Sequence, residues 1–390
     1  MHISFVVVSI SRAGGGVSEI VRRTAQSLVA DKEAEVSIFS LHDSGSAEDI
    51  TQWRPLYPTL HDTTRPRSLH FAKGLKKSLS DSGTDLCHAH GMWVGVSSTA
   101  ASWTRDNTKP FMITVHGMLE PWAIRNSRWK KRLAGLLYAN RTHRGAQCIQ
   151  VNTTAELGNV RNYGLKNPVC VIPNGVDVPH DETLAPPRWM RDTSHEGKNM
   201  LFLGRFHPKK GMLAMLDGWQ CWKRRSGDQQ WRLIIAGWDD GGHHREVEEA
   251  IQNYQLQQSV SMVGPQFGDE KNSTYAHADA FILSSHSEGL PMAVLEAWAN
   301  NLPVLMTTPC NLTIGFEREA AIEITTKPDD IACGIDVLTS MSDDQRSAMG
   351  LAGKQLVQEQ FTWQSVANQL FDVYQWLLHG GPPPDSVVAD

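Results

Sequence analysis

A chain of 390 residues, 41% of them hydrophobic, is long enough to build two domains with a core each. Its 37 basic residues against 42 acidic ones leave a net charge of −5, which argues against a protein dedicated to nucleic acid. The six scattered cysteines, Cys87, Cys148, Cys170, Cys221, Cys310 and Cys333, form no C-x-x-C pair, which argues against a disulfide frame or zinc site and suits reduced thiols in the cytoplasm.

Residues 3–9 (ISFVVVS) are a continuous apolar strand of the kind buried on both faces of a parallel sheet. The run lacks the basic lead and the cleavage site of a secretory signal. No stretch approaches the ~20 apolar residues that span a bilayer. Gly14, Gly15 and Gly16 follow, and from Val17 to Ala30 apolar residues recur at helical spacing. Strand, glycines, helix is the layout in which backbone N–H groups approach a phosphate or a sugar, although the spacing is not the G-x-G-x-x-G of a dinucleotide site. A second strand is expected at 35–39, and an irregular excursion over 43–70. Residues 85–90 (DLCHAH) read as a strand end, 94–105 as a helix, and 111–115 as a strand running into His116-Gly117-Met118. The strand at 146–151 leads into a capping box, Thr153 to Glu156.

After the strand at 169–172, the Pro-rich, charged stretch 178–197 is the expected linker. The pattern then restarts, with strands at 199–203, 231–236, 260–263, 280–283 and 304–306 alternating with helical stretches. Two βα runs in succession predict an α/β chain of two Rossmann-like, doubly wound domains facing a cleft. The expected domains are 1–185 and 186–362, with a last helix at 363–379 packing back on the first and a disordered tail at 380–390.

Two stretches concentrate chemistry. The first is 284–303 (SSHSEGLPMAVLEAWANNLP), a polar turn and then a helix that Pro303 ends. It fixes Glu288 on the loop and Glu296 inside the helix. Backbone N–H groups from Gly289 onward suit an anionic ligand, and Glu288 beside them can accept two sugar hydroxyls. The second is 204–211 (GRFHPKKG), where the planar fork of Arg205 and the ammonium of Lys210, or of Lys209, suit a diphosphate at a helix N-terminus.

The pattern E-G-L-P-x-x-x-x-E closely resembles the E-x7-E signature of retaining glycosyltransferases of family 4, which have the GT-B fold. The wording HGM, PNGVD, GRFHPKKG and HSEGLPMAVLEAWANNLPV extends the resemblance over nearly the whole chain, toward the branch that builds bacterial lipopolysaccharide or exopolysaccharide. This resemblance implies a first domain for the acceptor and a second for a GDP- or UDP-linked nucleotide sugar, with no other cofactor and no metal. It implies Arg205, Lys210 and the amides of Gly15 and Gly16 at the donor diphosphate. It assigns Glu288, Gly289 and Leu290 to the sugar, Glu296 to the ribose, and His116 to a hydrogen bond near the transferred carbon. His88 and His90 are acceptor-side candidates or structural groups. A glycan or polyprenyl-diphosphate-linked saccharide is the implied acceptor, at the inner face of the cytoplasmic membrane. A sugar-nucleotide epimerase of the same fold and an inactive, partner-binding homologue are the rivals.

The adjacent Asp239 and Asp240 lack D-x-D spacing and read as a loop. Stretch 125–144 (RNSRWKKRLAGLLYANRTHR) interleaves basic and apolar residues. Two readings stand side by side: a helix lying on an anionic membrane, or a core-packed helix with a solvated basic face.

Overall fold

The computed structural model describes every residue except 32–33, 126–127, 180–183, 192–195, 240 and 390. Asp240 and parts of the expected linker and of stretch 125–144 therefore lie outside the described residues. The chain forms two compact units, Met1–Gly175 together with Trp363–Asp390, and Val176–Thr362. The crossing falls at Gly175–Val176, ahead of the Pro-rich stretch, because Val176 already belongs to the second core. It is buried there and its N–H bonds the carbonyl of Phe361 at 2.7 Å. At the other crossing, the helix Trp363–His379 buries Val366, Leu370, Val373 and Tyr374 in the first unit.

In the first unit the strands are β1 (His2–Val6), β2 (Glu35–Leu41), β3 (Thr59–His61), β4 (Leu86–His90), β5 (Phe111–Thr114), β6 (Cys148–Val151) and β7 (Val169–Val171). β8 (Lys198–Leu203), β9 (Trp231–Ala236), β10 (Val260–Gly264), β11 (Ala280–Leu283), β12 (Val304–Thr307) and β13 (Ala321–Ile324) form the second, and β14 (Val387–Val388) returns to the first. The first sheet runs β14-β7-β6-β5-β4-β1-β2-β3, parallel except at β14. The second runs β10-β9-β8-β11-β12-β13, all parallel. Counted from its own first strand, that order is 3-2-1-4-5-6, the doubly wound Rossmann arrangement.

The apolar runs explain these strands. β9, β11 and β12 are buried at every position, as strands covered by helices on both faces must be. Two elements correct the expectations. The excursion over 43–70 contains β3, whose three residues pair parallel to Phe39–Leu41 of β2 and are too few to show a period. The tail is not disordered throughout: Val387 and Val388 add antiparallel to Cys170 and Val169, and Val387 is buried. Two β-branched residues after the prolines cover an otherwise open sheet edge.

Doubly wound sheets bind ligands where the strand order reverses, beyond the carboxyl ends of the strands. In the second unit that point lies between β8 and β11, and in the first between β1 and β4. The loops after β1, β8 and β11 carry the glycines, Arg205, Lys210 and Glu288, while His88 and His90 end β4 itself, His116 follows β5 and Glu296 lies in the helix after β11.

Candidate functional site

In the second unit, β8 runs into Gly204 and Arg205, a short turn at Pro208–Lys210, and the helix Met212–Ser226. β11 runs into 284–291 and the helix Met292–Ala299. The two loops lie against each other. The His286 N–H bonds the Lys209 carbonyl at 2.7 Å, and Ser284 Oγ donates to the Gly211 carbonyl at 3.1 Å. Gly211 permits this approach. Its φ is +65°, and a Cβ there would stand 2.2 Å from the Ser284 carbonyl oxygen. Gly211→Ala is therefore expected to destabilise the unit by about 2–4 kcal/mol through backbone strain and overpacking. Denaturant unfolding checks this, and an unchanged free energy would show that the loops are not so closely held.

This contact brings Lys210 Nζ to 2.7 Å from Glu288 Oε1, with only 17% and 12% of the two side chains exposed. Ser285 Oγ donates to the same oxygen. Among the described residues no hydrogen bond reaches Oε2, so the carboxylate keeps an acceptor for a ligand hydroxyl. The turn is tied from behind. Asn311 Nδ2 donates to the carbonyls of Glu288 at 2.6 Å and Gly289 at 3.2 Å, and the Glu288 N–H bonds the Pro309 carbonyl at 3.0 Å. Pro291 stands just ahead of the helix as its cap, so the first helical N–H is that of Met292 and not of Gly289. Gly289 and Leu290 are half-buried beside it, and Arg205 is exposed on the loop after β8.

Glu296 lies on the helix proper and belongs to a separate cluster. Lys271 Nζ is 2.7 Å from its Oε1, and Tyr275 Oη donates to its Oε2 at 3.0 Å. Burial first, and then the Glu296 carboxylate, push the Tyr275 hydroxyl well above its ordinary pKa, so it remains a donor. Lys271 and Tyr275 sit one turn apart on the helix Gly268–Ala276, a spacing that only gains meaning once Glu296 is placed beside it. Ser285 and Asn311 likewise carried no signal in the sequence.

In the first unit, the Gly16–Asp31 helix starts at the third of the glycines. Gly15 has φ +59° and ψ −145°, a conformation open to glycine. Its N–H is bonded to the Arg12 carbonyl at 3.1 Å, so the Gly15 amide is not available to a phosphate, and Gly16 alone of the pair heads the helix. The histidines sort into two roles. His88 is fully buried and engaged at both ring nitrogens, Nδ1 with Tyr374 Oη at 2.7 Å and Nε2 with Thr114 Oγ1 at 2.6 Å. Thr114 donates onward to Gln150 Oε1, so His88 donates from Nε2 and accepts from Tyr374. Of the two readings open for it, acceptor-side candidate and structural group, these bonds fit the structural one.

His90 and His116 differ. His90 Nδ1 lies 3.2 Å from His116 Nε2, while His90 Nε2 and His116 Nδ1 are buried and find no hydrogen-bond partner among the described residues. Sharing one proton across this contact leaves the pair with one free donor and one free acceptor, whichever tautomers hold. His116 has φ +48°, held by the turn into Gly117. Burial lowers the His116 pKa to about 4 and that of His90 well below the ordinary value, so the pair is neutral near pH 7.

Two family models match the chain in tandem, "Glycosyltransferase Family 4" over residues 14–179 and "Glycosyl transferases group 1" over 188–356. Mannosylfructose-phosphate synthase of Agrobacterium fabrum is 26% identical over 225 residues, 54% of this chain and 48% of that protein. GDP-mannose:cellobiosyl-diphosphopolyprenol alpha-mannosyltransferase of Xanthomonas oryzae pv. oryzae is 26% identical over 206 residues, 52% of each. The chain thus spans about half the length of these curated relatives. Among solved structures, Anabaena Alr3699/HepE in complex with UDP and glucose superposes with a TM-score of 0.72 at 17% identity, over 95% of this chain and 98% of that one. That likeness establishes the fold. With both sheets doubly wound and both models matched in order, the chain belongs to the family 4 glycosyltransferases of the GT-B fold.

Proposed function

We propose that this chain is a retaining glycosyltransferase that moves a hexose from a GDP- or UDP-linked donor to a glycan or polyprenyl-diphosphate-linked acceptor in bacterial surface polysaccharide synthesis. The observation that carries the reading is the Lys210–Glu288 contact at the switch point of the second sheet. It sets a cation for a departing diphosphate beside a carboxylate for sugar hydroxyls. Lys210 and Arg205 neutralise the charge that grows on the leaving phosphate, the kind of preorganised electrostatic help that dominates many transfers. They supply this charge without a metal. Glu288, Gly289 and Leu290 orient the hexose. Glu296, steadied by Lys271 and Tyr275, accepts from the ribose. The bond from the anomeric carbon to the diphosphate breaks, and one to the acceptor oxygen forms on the same face. The acceptor's proton passes to the departing phosphate oxygen. In the first unit, His90 and His116 offer the unmatched nitrogens that a sugar hydroxyl would fill.

The relatives' names support this reading, since one names GDP-mannose and a diphosphopolyprenol, and a similar fold holds UDP. A thermal-shift series with UDP, GDP and their hexose conjugates tests it, because a ligand that binds only the folded state raises its apparent stability. Stabilisation by one nucleoside diphosphate, lost in Arg205→Ala, is the expected result. No shift with any of them would overturn the donor assignment and favour an inactive homologue.

A further inference from the structure

We propose that the outward face of residues 128–144 docks on an anionic lipid bilayer. The segment is continuously helical, Arg128–Ala134, a wider turn at Gly135–Ala139, and Asn140–Arg144. Its polarity is reversed from that of an ordinary surface helix. Small or polar residues face inward: Ala134, Ala139, Thr142 and His143 are buried, Thr142 donates to Ser98 Oγ at 2.9 Å, and Tyr138 donates to the Trp93 carbonyl at 3.0 Å. Three large apolar residues face out. Trp129, Leu133 and Leu137 are 68%, 50% and 69% exposed, at steps of four residues that hold them on one side. The inward reading, a core-packed helix with a solvated basic face, does not fit side chains placed this way.

The occupant follows from charge. Between Glu120 and Glu156 the sequence holds no Asp or Glu, while Arg125, Arg128, Lys130, Lys131, Arg132, Arg141 and Arg144 fall in that span, in a chain whose net charge is −5. Arg132, Arg141 and Arg144 are exposed around the apolar stripe. Lys131 turns inward, donating to the Ala123 carbonyl and lying 4.6 Å over the Trp93 ring, so it stiffens the segment and leaves the outer charges to its neighbours. An apolar stripe rimmed by cations, in a span of sequence without an acidic residue, matches the boundary between acyl chains and anionic headgroups. Trp129 supplies the aromatic group that favours that depth. A second copy of this face would bring like charges together.

The proposal does not depend on glycosyl transfer, and its test needs neither donor nor acceptor. Full-length protein is mixed with sedimentable vesicles, either of phosphatidylcholine alone or with about 40 mol% phosphatidylglycerol, at ~0.1 and ~0.5 M salt. Binding to the anionic vesicles, weaker at high salt, is expected. The triple variant Trp129→Ser, Leu133→Ser, Leu137→Ser should lose at least ~10-fold of it with no loss of thermal stability, since the three side chains lie on the surface. Equal binding to neutral vesicles, or an unaffected variant, would overturn the proposal. So would a protein that ignores vesicles but sediments as a dimer that the variant dissociates.

Discussion

Glu288→Ala is expected to cut sugar transfer by at least ~100-fold, the loss typical of removing one preorganised group that meets developing charge or its neighbour. The variant should remain folded. Glu288 is held by Lys210 and Ser285, both on loops, and removing it leaves no hole in the apolar core. Lys210 would lose a close partner in a mostly enclosed place, at a cost of about 1–3 kcal/mol. The informative comparison is with Lys210→Ala and the double variant. If the two side chains act as a unit on one donor, either single change removes most of the activity, and the double change costs little more. Two independent, multiplying losses would mean that they serve different groups. Turnover by Glu288→Ala within threefold of the native rate would sink the assignment of this loop to the donor sugar.

How much of this was legible in the sequence depends on distance along the chain. The buried strands were, because a run such as AFIL at 280–283 has no use on a surface. The loops after β8 and β11 were too, because glycine, proline and charge cluster where a strand gives way to a helix. The pairing between those loops was not: Lys210 and Glu288 stand 78 residues apart, and only the strand order β8-β11 makes them neighbours. The choice for His88 between acceptor side and structural group was not legible for the same reason. Its partner Tyr374 lies 286 residues away, on a helix that belongs to the first unit only after the chain has built the second. Local pattern names the elements, and topology decides which polar groups are consumed inside.

The same buried histidines set the second large effect, an acid unfolding of the first unit well above the carboxylate range. Burial lowers the pKa of His88 to about 3 and those of His116 and His143 to about 4, and it holds His90 neutral as well. In the unfolded chain each returns to about 6.5. Above that pH both states are neutral and the full stability is present. As pH falls through 6.5, the unfolded chain takes up protons that the folded unit refuses until about pH 4, so stability declines with pH. Each group contributes up to about 1.4 kcal/mol per pH unit, so His88, His116 and His143 together remove about 4 kcal/mol for each pH unit below 6.5, and His90 acts in the same direction, against a typical total stability of about 5–15 kcal/mol. Asp43 and Asp49, held below the ordinary range mainly by their hydrogen bonds, act in the same direction at lower pH, whereas the buried carboxyl of Glu156 is raised and opposes them weakly. His143 isolates the effect, because it packs edge-on against Trp93 and neither of its nitrogens has a hydrogen-bond partner among the described residues. In His143→Leu the stability lost between pH 7.5 and 5.0, measured by urea unfolding, should shrink by about 2 kcal/mol. An unaltered difference would mean that this imidazole already takes its proton in the folded state at pH 5, and that the buried cluster does not govern acid stability.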